Sequence, residues 1–250
     1  MSSKFSTFIC QNCGSETSQY FGKCLNCNEW NTIVEEKKSQ RSKTKKIQES
    51  KKSKLFNEIS SEKISRFTSG FCEFDRVLGG GIVPGSVVLL GGEPGIGKST
   101  IVLQAAGKIS LNEKVLYITA EESLEQVKIR WERLDQNSVD LKIYAETNLS
   151  LIIEEIKNIN PSFAIIDSIQ AINNEEMESS PGSVSQVRNC SSELQNLAKE
   201  NNIALLIIGH VTKDGTLAGP KTLEHLVDVV INFEGDKISS HRLLRSVKNR

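Results

Sequence analysis

Eight consecutive residues, Gly92–Ser99 (GEPGIGKS), carry the densest chemistry in this 250-residue chain. They fit G-x-x-x-x-G-K-[ST] and fall between an apolar run that reads as a strand and a run that reads as a helix, the setting in which such a loop holds a phosphate chain. The loop comprises Gly92, Glu93, Pro94, Gly95, Ile96, Gly97, Lys98 and Ser99, with Thr100 next. Its glycines let backbone N–H groups close round the phosphates, and the following helix directs its positive end at the same charge. ATP is the expected nucleotide. Lys98 is expected to reach its β and γ phosphates, Ser99 to place a hydroxyl on Mg2+, and Thr100 to touch the α phosphate.

A second constellation is Cys10, Cys13, Cys24 and Cys27, spaced C-x2-C-x10-C-x2-C. Four thiolates on two hairpins make a tetrahedral site that suits Zn2+. Two disulfides are the competing arrangement, which a reducing compartment disfavours. So short a module cannot bury a core, so the metal would supply its folding energy. Gly14 follows the first pair, where the turn requires a left-handed residue. Trp30 and Phe21 are expected to cover the metal knuckle. Cys72 and Cys190 are expected to be small buried fillers.

Acids at the ends of apolar runs complete the set. Asp167 closes Phe163–Asp167 (FAIID), with Ser168 beside it, and is the candidate to hold Mg2+ through water. Glu121 and Glu122 follow VLYITA. Glu121 is the preferred base for polarising an attacking water, since an acid at Glu122 also suits a first helical turn. His210 ends IALLIIG and is either structural or a sensor of the γ-phosphate.

These groups need a scaffold. Apolar strands are expected at Ser86–Gly91, Val115–Ala120, Phe163–Asp167, Ile203–Gly209 and Val227–Phe233, with a shorter one at Lys142–Ala145 and one at His241–Val247. Helices are expected at Ser99–Ile109, Leu124–Leu134, Ser150–Ile159 and Val184–Glu200. The alternation gives an α/β fold with a mainly parallel central sheet, covered on both faces. The expected division is a zinc module at 1–34, a linker at 35–58 and an ATPase domain at 59–250.

Charge supports that division. The chain balances 31 Lys and Arg against 31 Asp and Glu. Lys37–Lys54 nevertheless holds nine basic residues and one acid, a net +8 that the remainder offsets. Such a run stays solvated rather than folding and is drawn to phosphate backbones. The composition excludes collagen-like and wholly disordered chains. No stretch is apolar enough for a membrane helix or signal peptide, so a cytoplasmic location away from membranes is expected.

The motifs taken together resemble the bacterial RadA (Sms) family of DNA-repair ATPases, relatives of RecA. The resemblance rests on GKC at Gly22–Cys24 with Trp30, FDRVLGGGIVPGSVVLLGGEPGIGKST at Phe74–Thr100, TAEES at Thr119–Ser123 and IIDSIQ at Ile165–Gln170. It continues through SSPGSVSQVR at Ser179–Arg188, GHVTKDGTLAGPKTLEHLVD at Gly209–Asp228, and Lys248-Asn249-Arg250, the start of a KNRFG signature.

The resemblance implies a RecA-like ATPase core behind a four-Cys zinc module. It implies an ATP-driven motor of recombinational repair, which moves on single-stranded DNA and extends branched recombination intermediates. Homo-hexameric rings follow from it, as do a RecA-type recombinase and a replicative helicase as partners, and association with the bacterial nucleoid. Lys248 and Arg250 would act catalytically in a neighbouring subunit's site, where cations stabilise phosphoryl charge. DNA would meet the loops Glu175–Arg188 and Thr212–His225, through Arg188, Lys213 and Lys221. Neither loop holds an aromatic residue, so the contact would be salt-sensitive and independent of sequence. The family continues past KNRFG into a Lon-protease-like domain without protease activity, so this chain reads as truncated and is expected to turn ATP over poorly until extended. Two other readings compete: a signalling ATPase of the same fold without DNA, and a zinc-finger recruitment module with regulatory ATP binding.

Overall fold

The computed structural model describes residues 6–10, 13–37, 66–134, 140–210, 222–235 and 241–250. The basic run beyond Lys37 therefore lies outside the described residues, as do Lys213 and Lys221.

Near the N-terminus, β1 (Ser6–Cys10), β2 (Glu16–Thr17) and β3 (Ile33–Lys37) form an antiparallel sheet in the order β2-β1-β3. Two turns of one design carry the cysteines. The Gly14 N–H donates to the Cys10 carbonyl at 2.8 Å, and the Asn28 N–H to that of Cys24 at 2.9 Å. Gly14 has φ 70° and Asn28 φ 61°; asparagine is the side-chain-bearing residue that visits this region most readily.

The larger part runs α1 (Cys72–Val77), β4 (Val87–Gly92), α2 (Lys98–Ile109), β5 (Val115–Thr119), α3 (Leu124–Arg133), β6 (Leu141–Ala145), α4 (Leu149–Ile159), β7 (Phe163–Asp167), α5 (Val184–Asn201), β8 (Ala204–His210), α6 (Thr222–Leu226), β9 (Val229–Gly235) and β10 (Arg242–Asn249). The sheet order is β10-β9-β4-β8-β7-β5-β6. Every neighbouring pair is parallel except β10 with β9.

Strand alternation sorts the core onto the two faces of the sheet. Val87, Leu89, Leu116 and Ile118 pack with Ile152, Ile156, Val187 and Leu194 of α4 and α5. Val88, Leu90, Tyr117 and Ile165 pack with Leu103, Ala106 and Val127 of α2 and α3. Central strands β4, β5 and β7 are buried throughout, while edge strands β6 and β10 are partly exposed. Helix ends follow side-chain chemistry. Ser123 and Gln126 close a reciprocal cap on α3, Asn148 caps α4 and Ser183 caps α5, each satisfying N–H groups that the first turn leaves unpaired. Left-handed Asn160 and Asn202 end α4 and α5.

Expected strands and helices are all present, with ends displaced by a residue or two. Several local expectations need correction. Cys72 is exposed at the start of α1, whereas Cys190 is buried as anticipated. Trp30 is 67% exposed and does not cover the metal knuckle; Phe8 and Ile33 pack against the cysteines instead. Arg188 is not in a loop. The Ser183 cap starts α5 at Val184, so Arg188 rides in its second turn, paired with Glu16 at 3.0 Å. The preceding loop is pinned rather than loose. The buried Gln186 amide donates to the Asn173 side chain and to the carbonyls of Asn174 and Ser179. Among the described residues no helix is long and apolar enough to cross a membrane.

Candidate functional site

Parallel strands present their C-terminal ends along one edge, where ligands of α/β sheets gather. The register places Gly92 opposite His210, and Thr119 opposite Asp167. The phosphate loop leaves β4, Glu121 follows β5, Asp167 ends β7 and His210 ends β8.

Within the loop, Gly97 has φ 109° and stands at the N-terminus of α2. Gly92 is needed for space: a Cβ there would lie 2.5 Å from the Phe233 carbonyl oxygen. That oxygen belongs to the paired strand and cannot withdraw. Gly92→Ala is therefore expected to cost about 2 kcal/mol, roughly 4–8 °C in Tm, and to weaken nucleotide binding. A thermal melt beside a nucleotide titration checks both.

Lys98 is 4% exposed. Its ammonium donates to the carbonyls of Gly92 (2.8 Å) and Glu93 (3.0 Å) and lies 3.2 Å from His210 Nδ1. A lysine only donates, so Nδ1 accepts and the ring proton sits on Nε2, 3.2 Å from Glu121 Oε1. The same carboxylate oxygen accepts the Ser168 hydroxyl. Lys98, His210, Glu121 and Ser168 thus form one hydrogen-bonded chain across the edge. Burial pulls Lys98 below the usual lysine range, against the opposing pull of Asp167 and Glu121. The His210 hydrogen bond, aided by Ser168, holds Glu121 below the usual carboxylate range.

Asp167 is 7% exposed. Burial raises its carboxyl above the ordinary value, against hydrogen bonds from Tyr117 and Ser99. A buried carboxylate beside the loop hydroxyl is a donor set that fits Mg2+, a hard cation that takes oxygen ligands. Glu122 faces elsewhere, bonded to Arg130 of α3. Tyr117 and Arg130 were not singled out by sequence, where both pass for ordinary strand and helix residues.

Beside the loop, Gly97, Thr100, Ile101, Gln104, Phe233 and Arg242 border an open cleft of about 530 Å3. Lys248 and Arg250 stand at the opposite end of the sheet. Lys248 donates to the Glu224 and Val227 carbonyls, and Arg250 lines a separate cavity with Arg66, Lys199 and Asp228. They cannot serve this chain's own phosphate loop.

In the N-terminal module the four cysteine sulfurs all lie within 4.8 Å of one another. Cys10 and Cys27 are 3.7 Å apart, and Cys13 and Cys24 3.5 Å. A Zn–S bond of ~2.3 Å in a tetrahedron requires sulfurs ~3.8 Å apart, so the residues fit the metal. The Cys27 N–H and the Ser15 hydroxyl bring the Cys24 thiol down to about 6, while burial pushes Cys27 up to about 11.

The fold and both sites agree with what the chain is similar to. A family model described as AAA domain matches residues 56–216, more than half of the sequence, and the chain belongs to that family. A second model, described as Rubredoxin metal binding domain, matches residues 8–35. The RadA resemblance extends well beyond motifs. The DNA repair protein RadA of Listeria monocytogenes serovar 1/2a is 50% identical over 247 residues, 97% of this chain and 54% of that protein. RadA of Bacillus subtilis (strain 168) is 46% identical over 252 residues, 98% of this chain and 55% of that protein. The chain thus spans about half the length of the curated relatives it matches. The crystal structure of KaiC-like protein PH0186 from Pyrococcus horikoshii OT3 shares the fold, with a TM-score of 0.58 at 21% identity, covering 75% of this chain and 89% of that one.

Proposed function

We propose that this chain is the zinc-module and ATPase part of a DNA-repair motor, binding and hydrolysing ATP and coupling turnover to single-stranded DNA. The observation that supports it most is the chain Lys98–His210–Glu121–Ser168 drawn across the phosphate loop and the end of Asp167's strand.

ATP enters with its phosphates in the Gly92–Ser99 loop and its nucleoside in the cleft between Thr100 and Phe233. Lys98 exchanges the Gly92 and Glu93 carbonyls for the β and γ phosphates, which answer its charge better than neutral carbonyls do. Ser99 and, through water, Asp167 would hold Mg2+, which neutralises phosphate charge when bound. Glu121 accepts a proton from the attacking water. As Lys98 leaves, His210 loses its Nδ1 partner and keeps Glu121, so occupancy of the phosphate site reaches the end of β8. Lys248 and Arg250 belong to a neighbouring subunit's site in a ring, the assembly this reading requires. The substrates are single-stranded DNA and branched intermediates. The partners are a RecA-type recombinase and a replicative helicase, in keeping with the RadA relatives' name as DNA repair proteins.

Glu121→Gln separates binding from chemistry. It keeps size and hydrogen bonding but removes the base, so hydrolysis is expected to fall by roughly 10²- to 10⁴-fold with ATP affinity little changed. Single-turnover hydrolysis beside equilibrium nucleotide binding tests this. Equal hydrolysis by both proteins would remove Glu121 from the role.

A further inference from the structure

A carboxylate that serves a metal must present one oxygen in a fixed direction. Asp167 is the last residue of β7 and has two oxygens to place in a buried setting. One is already committed: Tyr117 Oη donates to Asp167 Oδ2. Tyr117 sits in the middle of β5, fully buried. The β5–β7 register pairs Tyr117 with Ile165 and Thr119 with Asp167, so tyrosine and aspartate lie on the same face, one pleat apart. That gap, roughly 7 Å along the strand, suits a tyrosine and exceeds what serine or threonine could bridge. Arg130, tied to Glu122, adds a positive charge that acts on both groups.

We infer that Tyr117 is the positioning residue of the Mg2+ site, locking Asp167 by one oxygen so that the other faces the Ser99 hydroxyl and the phosphate loop. The inference rests on the ATP-site reading above and deepens it. Burial alone would be met by phenylalanine in the same shape. The phenol is used because a buried carboxylate oxygen without a donor is costly and free to turn. Groups that orient a metal-holding residue through a hydrogen bond commonly change metal affinity by 10- to 100-fold when lost.

The test is Tyr117→Phe, read by a fluorescent ADP analogue titrated in EDTA and then with increasing Mg2+. The expected result is metal-free affinity unchanged within about twofold and a half-saturating Mg2+ concentration raised roughly tenfold. Adding the change to Asp167→Asn should have no further effect on Mg2+ dependence, because its only route is through Asp167. A thermal melt confirms that the variant folds. Equal weakening with and without metal, an unaltered Mg2+ requirement, or full additivity with Asp167→Asn would each overturn the assignment. A parent chain that binds the analogue indifferently to Mg2+ would instead overturn the ATP-site reading, and this inference with it.

Discussion

Replacing Lys98 with alanine is expected to abolish ATP turnover while leaving the fold in place. The reason is the position of its charge. The ammonium is nearly buried, balanced by carbonyls and by the distant pull of Asp167 and Glu121, so it is poised to exchange them for phosphate. Loss of one preorganised positive group at a developing charge costs roughly 10² to 10³ in rate, and here the ground-state phosphates lose it as well. Stability should move little. The variant forfeits three hydrogen bonds but no longer keeps an ammonium out of water, and the two effects oppose. A Tm within about 4 °C of the parent, with no measurable hydrolysis, is the expected pair of results. Retained turnover would show that the loop does not handle the phosphates.

Removing zinc is expected to have the second large effect, confined to one part of the chain. Among the described residues the N-terminal module buries the side chains of only Ile9, Ile33 and the cysteines Cys10 and Cys24, far too little to offset the entropy of ordering it. A structural Zn2+ in such a module contributes about 10–16 kcal/mol, so the metal decides whether it folds. Chelation should erase the dispersed amide signals of residues 6–37 in an NMR spectrum and leave the melting of the β4–β10 part within a few degrees. Cys24→Ser should do the same. The two thiols also predict a pH dependence. Cys24, down at about 6, is already a thiolate at neutral pH. Cys27, up at about 11, must surrender a proton to bind metal. Uptake at pH 7 should therefore release protons, and affinity should rise with pH. An N-terminal module that keeps its signals in chelator would contradict the metal's role.

Much of this arrangement was legible in the sequence because its signals are periodic or spaced. Seven expected strands define the sheet, and two CxxC pairs define the metal site. What escaped notice was of three physical kinds. Short elements carry too few residues to show a period, as with the six-residue α1. Local polar chemistry decided an overlap: Arg188 falls in both the expected loop Glu175–Arg188 and the expected helix Val184–Glu200, and the Ser183 cap puts it in the helix. Pairings across the sheet depend on register, which neither strand reveals alone. Tyr117 looks like core until β7 is laid beside β5 and brings Asp167 to its hydroxyl. Trp30 failed differently: an aromatic beside a cysteine suggests a cover, but the knuckle is filled by Phe8 and Ile33 and the indole faces outward with Lys23 above it.

The coupling of nucleotide to DNA is the central claim, and one measurement addresses it directly: the ATP hydrolysis rate of this chain with and without single-stranded DNA, beside Lys98→Ala. The account predicts slow hydrolysis that rises with DNA, falls back as salt is raised, and vanishes in the variant. Hydrolysis that depends on Lys98 but is the same with and without DNA at low salt would contradict it and place the chain among ATPases that act without nucleic acid.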